Sequence, residues 1–396
     1  MSLAPSTINA QDGFFGQLDR LGVLIAALLV AGMAMPFANS RANRIVPGTA
    51  TPFFDALPLA AALPLAGLLV AVAVLALVRS PARLRMLASL IALGGLAIGL
   101  GVAADGLTPA GDRVARVAPA GGFWLLMLAF SLMASDAVAR LRLRPWPRMG
   151  LLAVVVAAVV AILLSGIWNE VSVLREYANR ADGFWREAGV HVLLALGSLA
   201  AATVIGIPVG ILCNRVPRLR AAIINTLNAV QTIPSIALFG LLIAPLAWVG
   251  ANIPGASALG IAGIGIAPAM LALFLYSLLP VVANTLAGLA GVPESAEEAA
   301  RGMGMTDRER LLEVDLPLAF PVILTGIRIV LVQNIGLATI AALIGGGGFG
   351  VFVFQGVGQT AMDLVLLGAV PTVALAFAAA VVLDAFVELA TPGVGR

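Results

Sequence analysis

The chain is predicted to be an all-helical integral membrane protein, and three observations predict it. Of its 396 residues 61% are hydrophobic and 11% charged, whereas a soluble domain carries roughly a quarter charged residues. The apolar residues gather into about ten runs, each near the roughly 20 residues a helix needs to cross the hydrocarbon of a bilayer. The charges collect in short segments between those runs, and every basic one is an arginine, since the sequence contains no lysine.

In chain order the runs cover residues 21–37, 57–78, 86–103, 122–139 and 149–168, then 190–213, 221–243, 264–290, 318–344 and 362–390. Helices facing lipid are apolar most of the way round, so length and composition carry this reading rather than periodicity. Gly and Pro inside the runs are compatible with it, because neighbouring helices can satisfy freed backbone groups.

Arginine placement orients the stack. Arg79, Arg83 and Arg85, then Arg140, Arg142, Arg144 and Arg148, then Arg215, Arg218 and Arg220, and finally Arg301, Arg308 and Arg310 fall on one side. The other side holds Arg41 and Arg44, Arg113 and Arg116, and Arg175, Arg180 and Arg186. The richer side is expected to be cytoplasmic, which places both termini inside. Residues 1–168 form a five-span region with few buried polar groups. Residues 169–189, which hold Tyr177 and Trp185 just after Trp168, read as an extracytoplasmic linker. Residues 190–396 form a second five-span region rich in intramembrane polar groups.

A polar, Gly-punctuated segment, residues 293–316, interrupts the second region on the expected cytoplasmic side. Ser295 with Glu298, and Thr306 with Glu309, have capping-box spacing and predict two short helix starts. Glu297 and Arg301 are four apart and can pair on one face. Gly302 and Gly304 allow a turn between the helices, and Pro317 closes the second helix or opens the next span. Ala299, Ala300 and Gly304 are small enough to leave room for a partner. A plain solvated loop is the alternative reading of the composition.

The spacing of this segment settles on the first of these. Glu298-Ala299-Ala300, three residues, Gly304, nine residues, Val314, one residue, then Leu316-Pro317 resembles the Glu-Ala-Ala loop of ABC importer permeases, with Val314 in place of an Ile. The stretches 228–238 (around Gln231-Thr232-Ile233-Pro234-Ser235), 273–280 and 341–350 are similar to the betaine/carnitine/choline branch of those permeases. The likeness covers about residues 190–390, the five-helix core of a type I importer; the first five runs lie outside it.

That resemblance implies a bacterial inner-membrane permease subunit for glycine betaine or a related quaternary ammonium osmolyte. It implies as partners an ABC ATPase subunit, an extracytoplasmic substrate-binding protein and a second or homologous permease. Glu298, Ala299, Ala300, Gly302, Gly304, Leu316 and Pro317 are then the ATPase-coupling residues. Another small solute, such as an amino acid, is the alternative cargo. A stand-alone secondary transporter is the rival class, but such carriers tend to use intramembrane acids, and Asp136 and Asp384 are the only candidates.

A pathway should be lined by polar groups too costly to present to lipid. Asn225, Asn228, Gln231 or Thr232, and Ser235 recur every three to four residues and form a stripe, with Asn284, Gln333 and Asn334 elsewhere. The same residues could equally serve as hydrogen-bonded glue between helices. Arg328 reads as half of an ion pair or as a snorkelling anchor rather than a solute ligand, and His191 as interfacial. The glycines at 345–350 read as a flexible turn where a binding protein docks. A phosphate-binding loop needs a lysine, so no ATP site, cofactor or catalytic group is expected in this chain. One His and one Cys argue against a zinc or Cys/His site, and the loop arginines do not call for nucleic acid.

Overall fold

The computed structural model describes residues 19–43, 46–112 and 114–391. Arg44, Arg113 and the two chain ends, used above to orient the stack, lie outside the described residues. The chain divides into two units, Met1–Leu143 with Val154–Arg175, and Arg144–Ala153 with Glu176–Arg396.

The first unit holds α1 (Arg20–Ala34), the strands β1 (Ala38–Arg41) and β2 (Thr49–Thr51), and α2 (Phe53–Ala56). It continues through α3 (Leu59–Leu77), α4 (Ala82–Leu107), β3 (Arg116–Pro119) and α5 (Gly121–Leu141). The expected all-helical character needs one small amendment. The loops after α1 and α4 pair as an antiparallel three-stranded sheet in the order β2-β1-β3, which satisfies backbone groups no helix is using. Phe37 sits at its base, 5.1 Å from the Phe53 ring and 5.7 Å from Phe123, both edge-on.

Few buried polar groups were expected here, yet Arg85 is fully buried. It is not a loop charge. Its guanidinium meets the Asp19 carboxylate at 2.6 Å, while Asp19 also caps α1 through the Leu21 amide. Arg140 joins from α5, 3.1 Å from Asp19 and 2.8 Å from Asp136. Asp136 is thus held in an ion-pair cluster, which disfavours its use as a carrier's proton site. Elsewhere Arg175 donates to the Asp112 and Ala115 carbonyls, and the Ala115 amide, then that of Val114, holds the Asp112 carboxyl below its ordinary value.

Helix α6 (Pro145–Leu164) contributes residues 144–153 to the second unit and its remainder to the first. The stretch expected to be a linker is helical: α7 (Ser172–Asn179) leads straight into α8 (Ala181–Arg215). Next come α9 (Pro217–Thr232), α10 (Ser235–Asn252) and α11 (Ile266–Ala290). The second unit then holds α12 (Glu294–Gly302), α13 (Asp307–Arg310), α14 (Leu316–Ala338), α15 (Gly350–Gly358) and α16 (Met362–Ala390).

Among the described residues nine helices are long and apolar enough to cross a membrane. Of the ten runs read from sequence, the first forms only the 15-residue α1. The seventh, expected as one span over 221–243, is two helices broken at Ile233-Pro234, because a proline cannot continue the hydrogen-bond ladder. The polar stripe is broken with it, leaving Ser235 on α10. Helix α10 runs past the end of that apolar run, to Asn252.

Helices α8, α11, α14 and α16 build the core of the second unit, and small residues let them approach closely. At Gly210 a Cβ would stand 2.6 Å from the Thr285 side chain, and at Gly326 it would stand 2.7 Å from Asn284. Residues 144–153 are tied in electrostatically. Arg148 reaches Asp384 at 2.6 Å and Glu388 at 3.0 Å, and Asp384 also pairs with Arg328. Of the two readings of Arg328, ion pair or snorkelling anchor, the structure shows the ion pair.

Candidate functional site

The polar segment is a rigid knob. Helix α12 ends at Gly302, and two residues on, Gly304 turns the chain with a φ of 81°, the left-handed region where glycine carries no Cβ penalty. The Met305 amide returns to the Ala300 carbonyl at 3.1 Å and the Gly304 amide to Arg301 at 3.0 Å, a Schellman end that uses up the free carbonyls. Gly302 does not make the turn; it is the last residue of α12. The Thr306–Glu309 capping box forms, whereas Ser295 caps nothing, because α12 starts at Glu294 and the N-cap position falls on Pro293, two residues before Ser295.

Arg301 pairs with Glu297 at 3.2 Å, as the spacing predicts. Arg310, not singled out from sequence, bridges Glu297 at 3.6 Å and Asp315 at 3.3 Å and so locks α12 against the chain that follows. Only the folded turn reveals this role, since the three residues share no helical spacing.

Pro317 opens α14 rather than closing a short helix. A π-helical stretch, Leu311–Asp315, joins α13 to α14, and its wider winding accommodates the missing Pro317 amide. The result is one helical run, Asp307–Ala338. Of the expected coupling residues Glu298, Ala299, Gly302, Gly304 and Pro317 are exposed and Leu316 is half-buried. Ala300 is 1% exposed; it packs inward and leaves no room for a partner. Met303, at 70% exposure, stands out beside Glu298's turn.

A second feature lies at the α9/α10 break. Gln231, Thr232, Ile233, Pro234, Ser235, Tyr276, Gln333 and Leu337 line a cavity of about 260 Å³. The Gln231 amide donates to the Tyr276 carbonyl at 2.8 Å, and the Tyr276 hydroxyl donates to the Ile233 carbonyl. Tyr276 on α11 thus braces the broken helix from inside; the resemblance over 273–280 marked its stretch but not this role.

The expected pathway residues divide. Gln231, Thr232 and Ser235 meet at this cavity, and Asn225 and Asn228 are exposed on α9, a helix with no buried residue. Asn334 is corrected to glue: fully buried, it donates to the Ser198 and Ser277 hydroxyls at 2.9 Å each. Asn284 donates to its own Pro280 carbonyl and packs on Gly326. Asn334→Leu is expected to destabilise the fold by about 1–2 kcal/mol, two interhelical bonds at membrane-protein strength. Thermal unfolding of the detergent-solubilised protein checks it, with an unchanged midpoint counting against the role.

Two further expectations change. His191 is buried rather than interfacial, accepting the Phe349 amide at 3.3 Å. With Glu187, which accepts the Gly348 amide at 2.8 Å, it pins the glycine turn at 345–348, which is therefore held in place. Three of its glycines have positive φ.

Residues 203–396 match the family described as "Binding-protein-dependent transport system inner membrane component", and residues 19–174 match "ABC transporter permease YehY, N-terminal domain". The osmoprotectant import permease protein OsmW of Salmonella typhimurium is 41% identical over 45% of this chain and 78% of its own length. The glycine betaine/carnitine/choline transport system permease protein OpuCB of Bacillus subtilis is 35% identical over 48% of this chain and 80% of its own. An inward-facing structure of the MetNI methionine ABC transporter aligns with a TM-score of 0.45 and 24% identity, over 52% of this chain and 95% of that one. The chain belongs to the family of inner-membrane components of binding-protein-dependent transport systems, and it is an ABC importer permease subunit.

Proposed function

We propose that this permease admits glycine betaine or a related quaternary ammonium osmolyte, and that a separate ATPase subunit drives it through segment 293–316. The printed functions of OsmW and OpuCB support the cargo. The single observation that carries the coupling is the helical run Asp307–Ala338. It starts in the exposed knob and ends beside the cavity that Gln333 lines. A displacement imposed on the knob is transmitted along a rigid helix to the cavity wall.

In this reading the knob is cytoplasmic, as the arginine excess predicts, and both termini are too. Closure of the ATP-bound ATPase dimer moves the knob and switches which side the cavity faces. The energy is the difference in ATPase affinity between two permease states. The pinned turn at 345–348 lies at the opposite end of α14 and is a docking place for a substrate-binding protein. A second copy, or a homologous permease, completes the membrane part.

The test is reconstitution in proteoliposomes with the cognate ATPase and binding protein. Accumulation of glycine betaine that requires ATP is the expected result. Accumulation by the permease alone on an ion gradient would overturn the proposal.

A further inference from the structure

We infer that Arg310 is the positioning residue through which an ATPase-driven movement of α12 reaches α14. Breaking its bridge uncouples ATP hydrolysis from transport while the ATPase stays bound. This rests on the coupling reading above and deepens it.

The surface that segment 293–316 shows to a partner and the helix that must move are different elements. Glu298 and Ala299 are exposed on α12 and Met303 at its end, whereas the run to the cavity wall begins at Asp307. Helix α12 packs on α13 and on the π-helical joint Leu311–Asp315. Its pair between Glu297 and Arg301 stays within α12 and transmits nothing. Among the described residues, the Glu297–Arg310 contact at 3.6 Å is the one ion pair that leaves α12.

Arg310 passes that hold on. Its guanidinium reaches the Asp315 carboxylate at 3.3 Å, directly before Leu316 opens α14. The pair spans five residues, and that spacing is informative. In an α-helix, at about 100° per residue, residues five apart lie ~140° round the axis and face apart. In a π-helix the backbone bonds join residues five apart, which brings them onto one face. The Leu316 amide bonds to the Leu311 carbonyl in that pattern. The bridge therefore depends on the π winding, and it fixes the register in which α12 meets α14.

Burial makes the bridge necessary. Asp315 is 7% exposed, and its other carboxylate oxygen is buried without a hydrogen-bond partner among the described residues. A buried charge is costly unless paired. A guanidinium presents several donors in a fixed fork, which lets one side chain serve both acids. Without it α12 would still offer Glu298 and Met303 to the ATPase, but it would lose its leverage on α14.

The experiment uses the complete complex in proteoliposomes, with the cognate ATPase, the binding protein and labelled glycine betaine. ATPase co-purification, ATP hydrolysis and uptake are measured together. In Arg310→Gln the ATPase is expected to co-purify at the wild-type level. Uptake per ATP is expected to fall about tenfold, within the range of a coupling free energy between two sites. Glu297→Gln removes only the α12 leg and leaves Arg310 on Asp315, so it gives the same readout if the first variant fails to assemble. The double variant should lose no more than either single one, because both break one connection. Uptake per ATP at the wild-type level in either assembled variant would overturn the inference. So would loss of the ATPase in step with uptake, which would make Arg310 a docking residue. Wild type that accumulates nothing with ATP would instead overturn the coupling reading beneath it.

Discussion

Replacing Glu298 by Arg, or Gly304 by Leu, is expected to abolish ATP-driven uptake and co-purification with the ATPase, while membrane insertion stays normal. Glu298 is exposed and makes no hydrogen bond or ion pair with the described residues. Its reversal therefore costs the permease itself little, within the roughly 0.5 kcal/mol typical of surface changes. Against a complementary partner the same reversal costs about 2–5 kcal/mol of association.

Gly304 works differently. No atom lies within 4 Å of an added Cβ, so the chain has space for a side chain. The penalty is conformational, about 1–2 kcal/mol for a left-handed L-residue, and the new side chain projects from the knob. Retained ATPase binding in both variants would remove the coupling role assigned to segment 293–316.

Asp384→Ala should lower the amount of folded permease several-fold. Asp384 neutralises Arg328 on α14 and shares Arg148 with Glu388. The four groups, two arginines and two acids, sum to zero charge, and removing one acid leaves a net cation among membrane helices. Breaking a fully buried pair costs about 3–5 kcal/mol; these side chains are partly open, so about 2 kcal/mol is expected.

The double variant Arg328→Leu with Asp384→Ala restores neutrality and should recover most of the loss. Size-exclusion profiles of the solubilised proteins measure both. Equal losses in single and double variants would mean that the cluster acts through packing and not charge.

How much was legible beforehand follows from the range of each interaction. The Glu297–Arg301 pair, the Thr306–Glu309 box and the Gly304 turn all act within four residues, so spacing alone places them. The break at Pro234 was also local, but the apolar run on both sides masked it. Arg310, Glu187, Tyr276 and Arg148 were not singled out for their roles, because each bonds to residues brought near only by folding. Asn334 shows the limit most clearly. An intramembrane asparagine is costly wherever it sits, but whether it faces a cavity or two serines is a property of three packed helices.

The amino-acid order by itself determined the membrane-spanning helical class, the polar knob and its kinship with importer permeases, since each depends on composition or short spacing. Only the packed structure decided which polar side chains bond to one another and which remain free beside a cavity. It also decided that the knob and the cavity wall belong to one helix. The physical reason is that hydrogen bonds and ion pairs are satisfied by whatever lies within about 3 Å, and for residues far apart in sequence that neighbour is set by helix packing.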